Sequence, residues 1–377
     1  MKLAVTLLVF CVAALLALGM VALYSCAGSR YLAMQLSFCA VSLVLAVVAC
    51  LLDYRQLKKI VWPLWGLALV LLVLVLIPHI GIKVNGARRW IGYGAARFQC
   101  SEFAKLALIV VLAWYAERYQ RQMPTWKRGI LIPALFIAPI LGLIFIEPDR
   151  GTTILLAAVS LTMLLVAGVR WRYVIPPAVG AVAVLAYSLW HDSMRRGRIF
   201  SWLHLEENKS GVGYQAWEAM LALGSGGWTG LGLGNSRQKL GFVPEHHTDF
   251  ILSMIGEELG VVATLLIVVA FVVIVVCGLY IAVNSSDNFG LLLGSGITFL
   301  IGMQAFINIG VVTSALPNKG LPLPFISYGG SNLMMMVCSV GLLLSIARRA
   351  RAPEIVSSRG EKNEANPFRG SARAVPT

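Results

Sequence analysis

The feature that most constrains this chain is the recurrence of apolar blocks about twenty residues long. That is the length an α-helix needs to cross roughly 30 Å of hydrocarbon. Ten blocks fall near residues 3 to 25, 32 to 52, 61 to 80, 101 to 117, 129 to 147, 151 to 169, 173 to 190, 249 to 283, 289 to 314 and 329 to 347. With 58% hydrophobic and only 13% charged residues over 377 positions, the chain lacks the polar surface of a water-soluble enzyme, and that class is excluded. The pattern predicts an all-α, polytopic membrane protein with about ten transmembrane helices. The first block begins after Lys2 and ends at Cys26-Ala27-Gly28, as a signal peptide would. Its apolar run exceeds the roughly 7 to 15 residues of a signal core, so it is read as a retained helix.

The net charge of +14 resides at the ends of apolar blocks rather than on one soluble face. This suits membrane topology and anionic headgroups, and no nucleic-acid partner is expected. An even number of spans puts both termini on one side. Arg348, Arg349 and Arg351, with Arg55, Lys58, Lys59, Arg118, Arg121, Lys127, Arg128, Arg170 and Arg172, favour the cytoplasm for that side. The opposite side is also rich in cations: Lys83, Arg89, Arg97, Arg195, Arg196, Arg198, Lys209, Arg237, Lys239 and Lys319. Solvated loop charge accounts for part of this excess, and an anion site at the outer surface would account for the rest. The seven cysteines are scattered, without a CxxC or Cys/His metal spacing, and read as small buried residues.

Residues 1 to 350 form the transmembrane domain, with a long extracytoplasmic loop over about 191 to 248 between the seventh and eighth spans. Residues 351 to 377 read as a disordered cytoplasmic tail. Within the loop, Gly213 to Leu223 is semi-apolar and predicts an interfacial helix. The glycine-rich run Gly224 to Gly234 must be irregular backbone, which survives at membrane depth only against protein or a water-filled cavity. Its GxGxxG-like pattern follows no strand, so a dinucleotide fold is rejected.

Carboxylates in or beside apolar spans are functional candidates, and Glu102, Asp149 and the run Pro244 to Asp249 qualify. Asp249 opens the eighth span, where an Asp also serves as an ordinary helix N-cap. Glu257 lies eight residues on, roughly 12 Å deeper at about 1.5 Å per residue. That is too far for the two carboxylates of a glycosidase, about 5 to 10 Å apart. Glu257 and Glu258 read as buried partners of other groups. Glu102 and Lys105, spaced i, i+3, meet on one helix face, either as an ion pair or with the Lys free to hold a phosphate. Adjacent His246 and His247 point apart on extended backbone, which disfavours joint metal coordination.

The motifs Val84-Asn85-Gly86-Ala87-Arg88-Arg89-Trp90-Ile91, Gln99-Cys100-Ser101-Glu102-Phe103-Ala104-Lys105, Glu147-Pro148-Asp149-Arg150-Gly151-Thr152-Thr153, the 230 to 260 block and Leu316 to Ser331 occur in this order. Together they resemble the SEDS family of bacterial peptidoglycan polymerases, the shape, elongation, division and sporulation proteins, over about residues 1 to 350. Gly213-Tyr214-Gln215, Ala222 to Gly227 and Gly234 to Leu240 look like the division branch rather than the elongation branch. Two departures stand out: Cys100 occupies a position where the family usually has proline, and Trp202-Leu203-His204 lacks the common Asn/Asp-Pro.

The resemblance implies a glycosyltransferase that polymerises lipid II in septal wall synthesis at the bacterial inner membrane. It implies Asp249 as catalytic residue, either a base toward the acceptor hydroxyl or a ligand of a divalent cation, magnesium or manganese; no organic cofactor is expected. Arg89, Glu102, Lys105, Arg195, Arg198, Glu245, Lys319 and Ser331 are the implied substrate or pocket contacts. The implied partners are a class B penicillin-binding protein that crosslinks the product and other divisome membrane proteins. A lipid II flippase and a non-catalytic division scaffold are the alternatives that the same spans and charges would serve.

Overall fold

The computed structural model describes residues 1–84, 87–93, 96–191, 193–207, 211, 213–236 and 248–350. α1 (Lys2–Ala27) turns at Gly28 into α2 (Ser29–Leu51). After α3 (Val61–Leu76) come β1 (Ile82–Val84), β2 (Ala87–Tyr93) and β3 (Ala96–Gln99), then α4 (Cys100–Arg118). α5 (Ile132–Ile146), α6 (Arg150–Val166) and α7 (Trp171–His191) lead to α8 (Ser193–Leu203) and α9 (Tyr214–Ser225). α10 (Ile251–Val283), α11 (Asn288–Val312) and α12 (Gly330–Arg349) complete the described chain. The expected tail, 351 to 377, lies outside the described residues.

Seven helical segments among the described residues are long and apolar enough to cross a bilayer: α1, α2, Lys127–Ile146, α7, α10, α11 and α12. α3 and α6 are shorter apolar helices. The protein is therefore a multi-pass helical membrane protein. Burial divides the helices by solvent: α7 leaves Val182, Tyr187 and Trp190 about two-thirds exposed, at 66%, 67% and 65%, as a lipid-facing helix does. α4, α11 and α12 are instead buried along most of their length. α2 lies along α12 so closely that a Cβ on Gly341 would strike the Ala46 carbonyl. Close backbone approach at small residues is how helices gain dispersion energy where lipid offers no hydrophobic drive. At the far end of the bundle from Asp249, Asp287 caps α11 through the Gly290 N–H and receives Arg55 at 3.2 Å and Lys58 at 3.4 Å.

Two features add to the sequence reading. The connection between α3 and α4 is a small antiparallel sheet in the order β1-β2-β3, with Trp90 opposite Gln99 and Lys83 opposite Arg88. Its strands are too short and too polar to show beside twenty-residue apolar blocks. α4 begins at Cys100 itself, so the missing proline does not displace the helix start.

The second feature is a break in α10. Gly260 has φ 78°, a left-handed conformation that a Cβ disfavours, and it divides the helix into residues 251–259 and 261–283. A break frees backbone groups that lipid cannot satisfy. Here the glycine-rich segment takes their place. Leu231 and Gly232 donate N–H bonds to the Glu257 and Glu258 carbonyls, at 2.9 and 3.0 Å, while the Val261 N–H donates to Gly227 O at 2.9 Å. Gly230 sits so near Glu258 O, and Gly260 so near Trp228 O, that a methyl at either position would collide. The glycine run expected to be irregular at membrane depth is thus the second half of a discontinuous helix site. We expect Gly260→Ala to lower stability by about 2–4 kcal/mol, the sum of the left-handed penalty and the overpacking. A fall in melting temperature in detergent, with faster proteolysis at 226–232, checks this.

Candidate functional site

Asp249 occupies a turn, residues 248–250, just ahead of α10. The N-cap of α10 is Phe250, so the capping alternative for Asp249 does not hold. The turn is fixed from below: Asn308 of α11 donates through Nδ2 to the Asp249 carbonyl at 2.8 Å and to the Leu321 carbonyl at 2.7 Å. The Asp249 side chain lies against the backbone of Gly320, where a Cβ would stand 2.6 Å from Oδ2. A larger residue at 320 would have to displace the Asp249 carboxylate. The carboxylate is partly exposed, at the surface of the connection that runs from Leu316 to Gly329.

Lys319 precedes that glycine. It lines a cavity of about 120 Å³ with Gly151, Ile154, Ile307, Val311, Leu316 and Pro317. Burial pushes its ammonium below the ordinary lysine value, and among the described residues that ammonium makes no hydrogen bond or ion pair. One cation at the mouth of an apolar-walled cavity matches an anionic head on a hydrocarbon chain.

The remaining expected site residues separate into framework and periphery. Lys105 and Glu102 form a buried pair at 2.7 Å, 1% and 2% exposed. Lys105 also donates to Gln304 Oε1 at 2.9 Å, and Glu102 accepts from Asn332 Nδ2 at 2.9 Å. Of the two alternatives for this pair, the ion pair is the one built. Ser331 accepts the Gln99 N–H at 2.9 Å and donates to the Arg97 carbonyl at 3.3 Å, so its hydroxyl fastens the start of α4 to α12. Arg89 donates to the carbonyls of Glu147, at 3.2 Å, and Pro148, at 2.8 Å, and lies 4.0 Å from Asp149. Asp149 in turn caps α6 through the Thr152 N–H and hydroxyl. Arg89 therefore secures the turn that delivers Gly151 to Leu321, where a Cβ would stand 3.2 Å from the Leu321 side chain. Arg198 is exposed on α8. The Arg195 side chain and Glu245, with His246 and His247, lie outside the described residues. Glu257 and Glu258 are buried, as expected, and accept hydrogen bonds from Ser236 and Ser25.

Among the described residues no group of three His, Cys, Asp or Glu side chains could hold a metal ion. Four residues of this region escaped the sequence reading: Gln304, Asn308, Asn332 and Glu147. The first two were visible as amides four residues apart inside an apolar span, a spacing that puts them on one face.

With this geometry in place, the kinship of the chain is clear. The sequence profile of the FtsW/RodA/SpoVE family, described as cell cycle proteins, matches residues 4–352. The chain belongs to this family. Among curated relatives, a protein of Trichlorobacter lovleyi named "Probable peptidoglycan glycosyltransferase FtsW" is 39% identical over 350 residues, covering 90% of this chain and 92% of its own. One of the same name from Pseudomonas fluorescens is 38% identical over 355 residues, covering 90% and 86%. Among solved structures, a chain of a peptidoglycan synthase complex that coordinates polymerization and crosslinking superposes with a TM-score of 0.78 at 29% identity, covering 90% of this chain and 96% of that one. The rod shape determining protein RodA of Thermus thermophilus gives 0.69 at 30% identity, covering 92% and 97%.

Glu147 yields a prediction of its own. Its side chain is fully buried, and neither carboxyl oxygen has a hydrogen-bond partner among the described residues. Burial, helped by the Asp149 charge and opposed by Arg89, pushes it from 4.5 to about 8. A carboxyl that holds its proton more tightly when folded stabilises the fold fully below its unfolded value, and that stability is lost as pH rises toward the folded value. Relative to Glu147→Gln, which does not titrate, the parent's melting temperature should therefore fall between about pH 5 and 8 and level off above. Thermal scans of both proteins across this range are the check.

Proposed function

We propose that this chain is a peptidoglycan glycosyltransferase of the division branch that polymerises lipid II into glycan strands in septal wall synthesis, with Asp249 as its catalytic residue. The observation that carries the site assignment is the juxtaposition at the head of the broken α10: a carboxylate seated on Gly320, next to the half-buried and unpaired Lys319 in an apolar-walled cavity.

The chemistry follows from these positions. Lipid II carries its disaccharide on a diphosphate attached to a polyprenyl chain. An acceptor sugar hydroxyl attacks the anomeric carbon of the donor, the new glycosidic bond forms, and the old carbon–oxygen bond breaks with its electron pair going to the lipid diphosphate. The hydroxyl proton passes to the Asp249 carboxylate. Because the leaving group departs as a stable anion, it needs a counter-charge more than a proton, and Lys319 is placed to supply it. One carboxylate and one cation suffice, which agrees with Glu257 being engaged elsewhere. The apolar walls of Ile154, Ile307, Val311 and Leu316 suit the first prenyl units. Arg89, Glu102, Lys105 and Ser331 serve the reaction by holding the walls in place, and Arg195, Arg198 and Glu245 remain proposed contacts of the extracytoplasmic loop.

In this reading α3, α4 and α6 join the seven long segments to make ten spans in the bacterial inner membrane, with both termini cytoplasmic and Asp249 at the outer face. A class B penicillin-binding protein crosslinks the product, and other divisome membrane proteins assemble with the pair. Support for the partner comes from the likeness of this chain to a chain of a peptidoglycan synthase complex that coordinates polymerization and crosslinking.

Asp249→Asn preserves shape and removes the base. With purified protein, its transpeptidase partner and lipid II in detergent, polymer formation should drop at least about 100-fold, the lower end of what a general base contributes, at an unchanged melting temperature. Lys319→Ala should weaken use of lipid II, with partial recovery in Lys319→Arg. Lipid translocation in vesicles by both parent and Asp249→Asn, without polymer from either, would replace the polymerase with a transporter.

A further inference from the structure

Resting on the polymerase reading, we infer that Gln304 and Asn308 are positioning residues: two buried amides on α11 that set the Asp249 turn and the Lys319–Gly320 segment in register, with the Glu102–Lys105 pair acting through Gln304.

The two amides stand one turn apart on the same face of α11 and are 0% and 1% exposed. Each donates its amide N–H to backbone. The Nδ2 of Asn308 bridges the carbonyls of Asp249 and Leu321, and the Nε2 of Gln304 takes the next carbonyl, Pro322 O, at 2.9 Å. The connection they grip has no helix or strand from residue 317 to 323, so no ladder of its own defines where Lys319 and Gly320 lie. Its placement rests on these donors, on the Leu321 N–H to Lys319 O bond at 3.0 Å, on Asn318, which donates to Gln215 Oε1 at 3.2 Å, and on Ser327, whose Oγ accepts the Leu323 N–H at 2.8 Å and whose N–H donates to Leu323 O at 3.1 Å. Of these, the Asn308 nitrogen is the one that bonds both the segment that carries the base and the segment that carries the cation.

The orientation of both amides is determined by their surroundings. Turning Asn308 over would aim its oxygen at two carbonyl oxygens, and in the observed orientation that oxygen has no partner among the described residues. Gln304 is held from its other end, where Oε1 accepts from Lys105 Nζ. Lys105 is in turn held by Glu102, and Glu102 by Asn332 of α12. The ion pair therefore keeps the Gln304 nitrogen aimed at Pro322. It supports the site from behind, two hydrogen bonds away from the segment that carries Lys319. An amide suits this task because it accepts from the ammonium at its oxygen and donates to the carbonyl from its nitrogen, whereas an ionised carboxylate is an acceptor only and has nothing to donate. Misplacement of reacting groups by about 1 Å costs on the order of 100-fold in rate, so loosening this clamp lowers turnover without removing any group that touches substrate.

The test uses the full-length chain with its partner and lipid II. The variants are Asn308→Ala and Gln304→Ala, with the shape-matched Asn308→Asp and Gln304→Glu as safeguards against misfolding; Gln304→Glu keeps an acceptor for Lys105 and replaces the donor to Pro322. The expected result is a kcat lower by about 10- to 100-fold with KM within about threefold, faster amide hydrogen exchange at both 248–252 and 318–324, and a melting temperature near the parent's. In an Asp249→Asn background, Asn308→Ala should lower the residual rate no further. An unchanged kcat, a loss confined to KM, unchanged exchange, or a rate that merely follows the melting temperature would overturn the inference. Should Asp249→Asn polymerise like the parent, the assignment of Asp249 as the base fails instead, and should neither make polymer the polymerase reading fails; in both cases the exchange data alone then decide whether the amides join the two segments.

Discussion

A bilayer offers no hydrogen bonds, so every backbone polar group at membrane depth must find its partner inside the protein. The break in α10 is where this constraint acts hardest. At Gly260 the helix stops bonding to itself, and the carbonyls of Glu257 and Glu258 and the N–H of Val261 are satisfied by the backbone of 227–232. The approach is so close that glycine is required on both sides. The first half of α10 is thereby held against a loop rather than continued as a straight rod, and in the turn ahead of it the Asp249 side chain lies against Gly320, the residue after Lys319. The path of the chain into this turn depends on an interruption that the membrane makes costly and the glycine run makes affordable.

A second constraint is the cost of burying charge. Glu102 and Lys105 are both nearly inaccessible, and such a pair is stable only when its remaining donors and acceptors are met. Gln304 and Asn332 meet them. The outcome is one polar chain through an apolar bundle, running from Asn332 on α12 through Glu102, Lys105 and Gln304 to Pro322, with Asn308 beside it reaching Leu321 and Asp249. Around it the packing is apolar and non-directional, able to bring helices together but not to specify the position of an irregular segment. Hydrogen bonds with fixed directions do that. The separation of tasks explains why the amides sit against the irregular backbone of 249 and 321–322 and the leucines and valines elsewhere in the bundle.

Much of this was readable along the chain. The apolar blocks announced the helices of a membrane protein, the glycine run announced the irregular backbone that begins after Ser225, a helix at α9 followed from its mixed composition, and Asp249 stood out as a carboxylate at the head of a span. These are local properties, and local spacing suffices to read them. What the blocks hid was the sheet between α3 and α4, whose strands are held by pairing partners up to nine residues away, such as Trp90 with Gln99.

The sequence by itself determined the solvent of this protein, the helical form of its spans and the identity of its chemically unusual residues, because hydropathy and helical period act within a few turns. Only the tertiary structure decided what those residues do: that Lys105 faces Glu102 and Gln304 while Lys319 stands unpaired, that Ser331 fastens helices, and that Asn308 reaches Asp249 across 59 positions. The roles of charged and amide groups depend on which partners lie within about 3 Å, and those partners come from distant parts of the chain that only the folded bundle brings together.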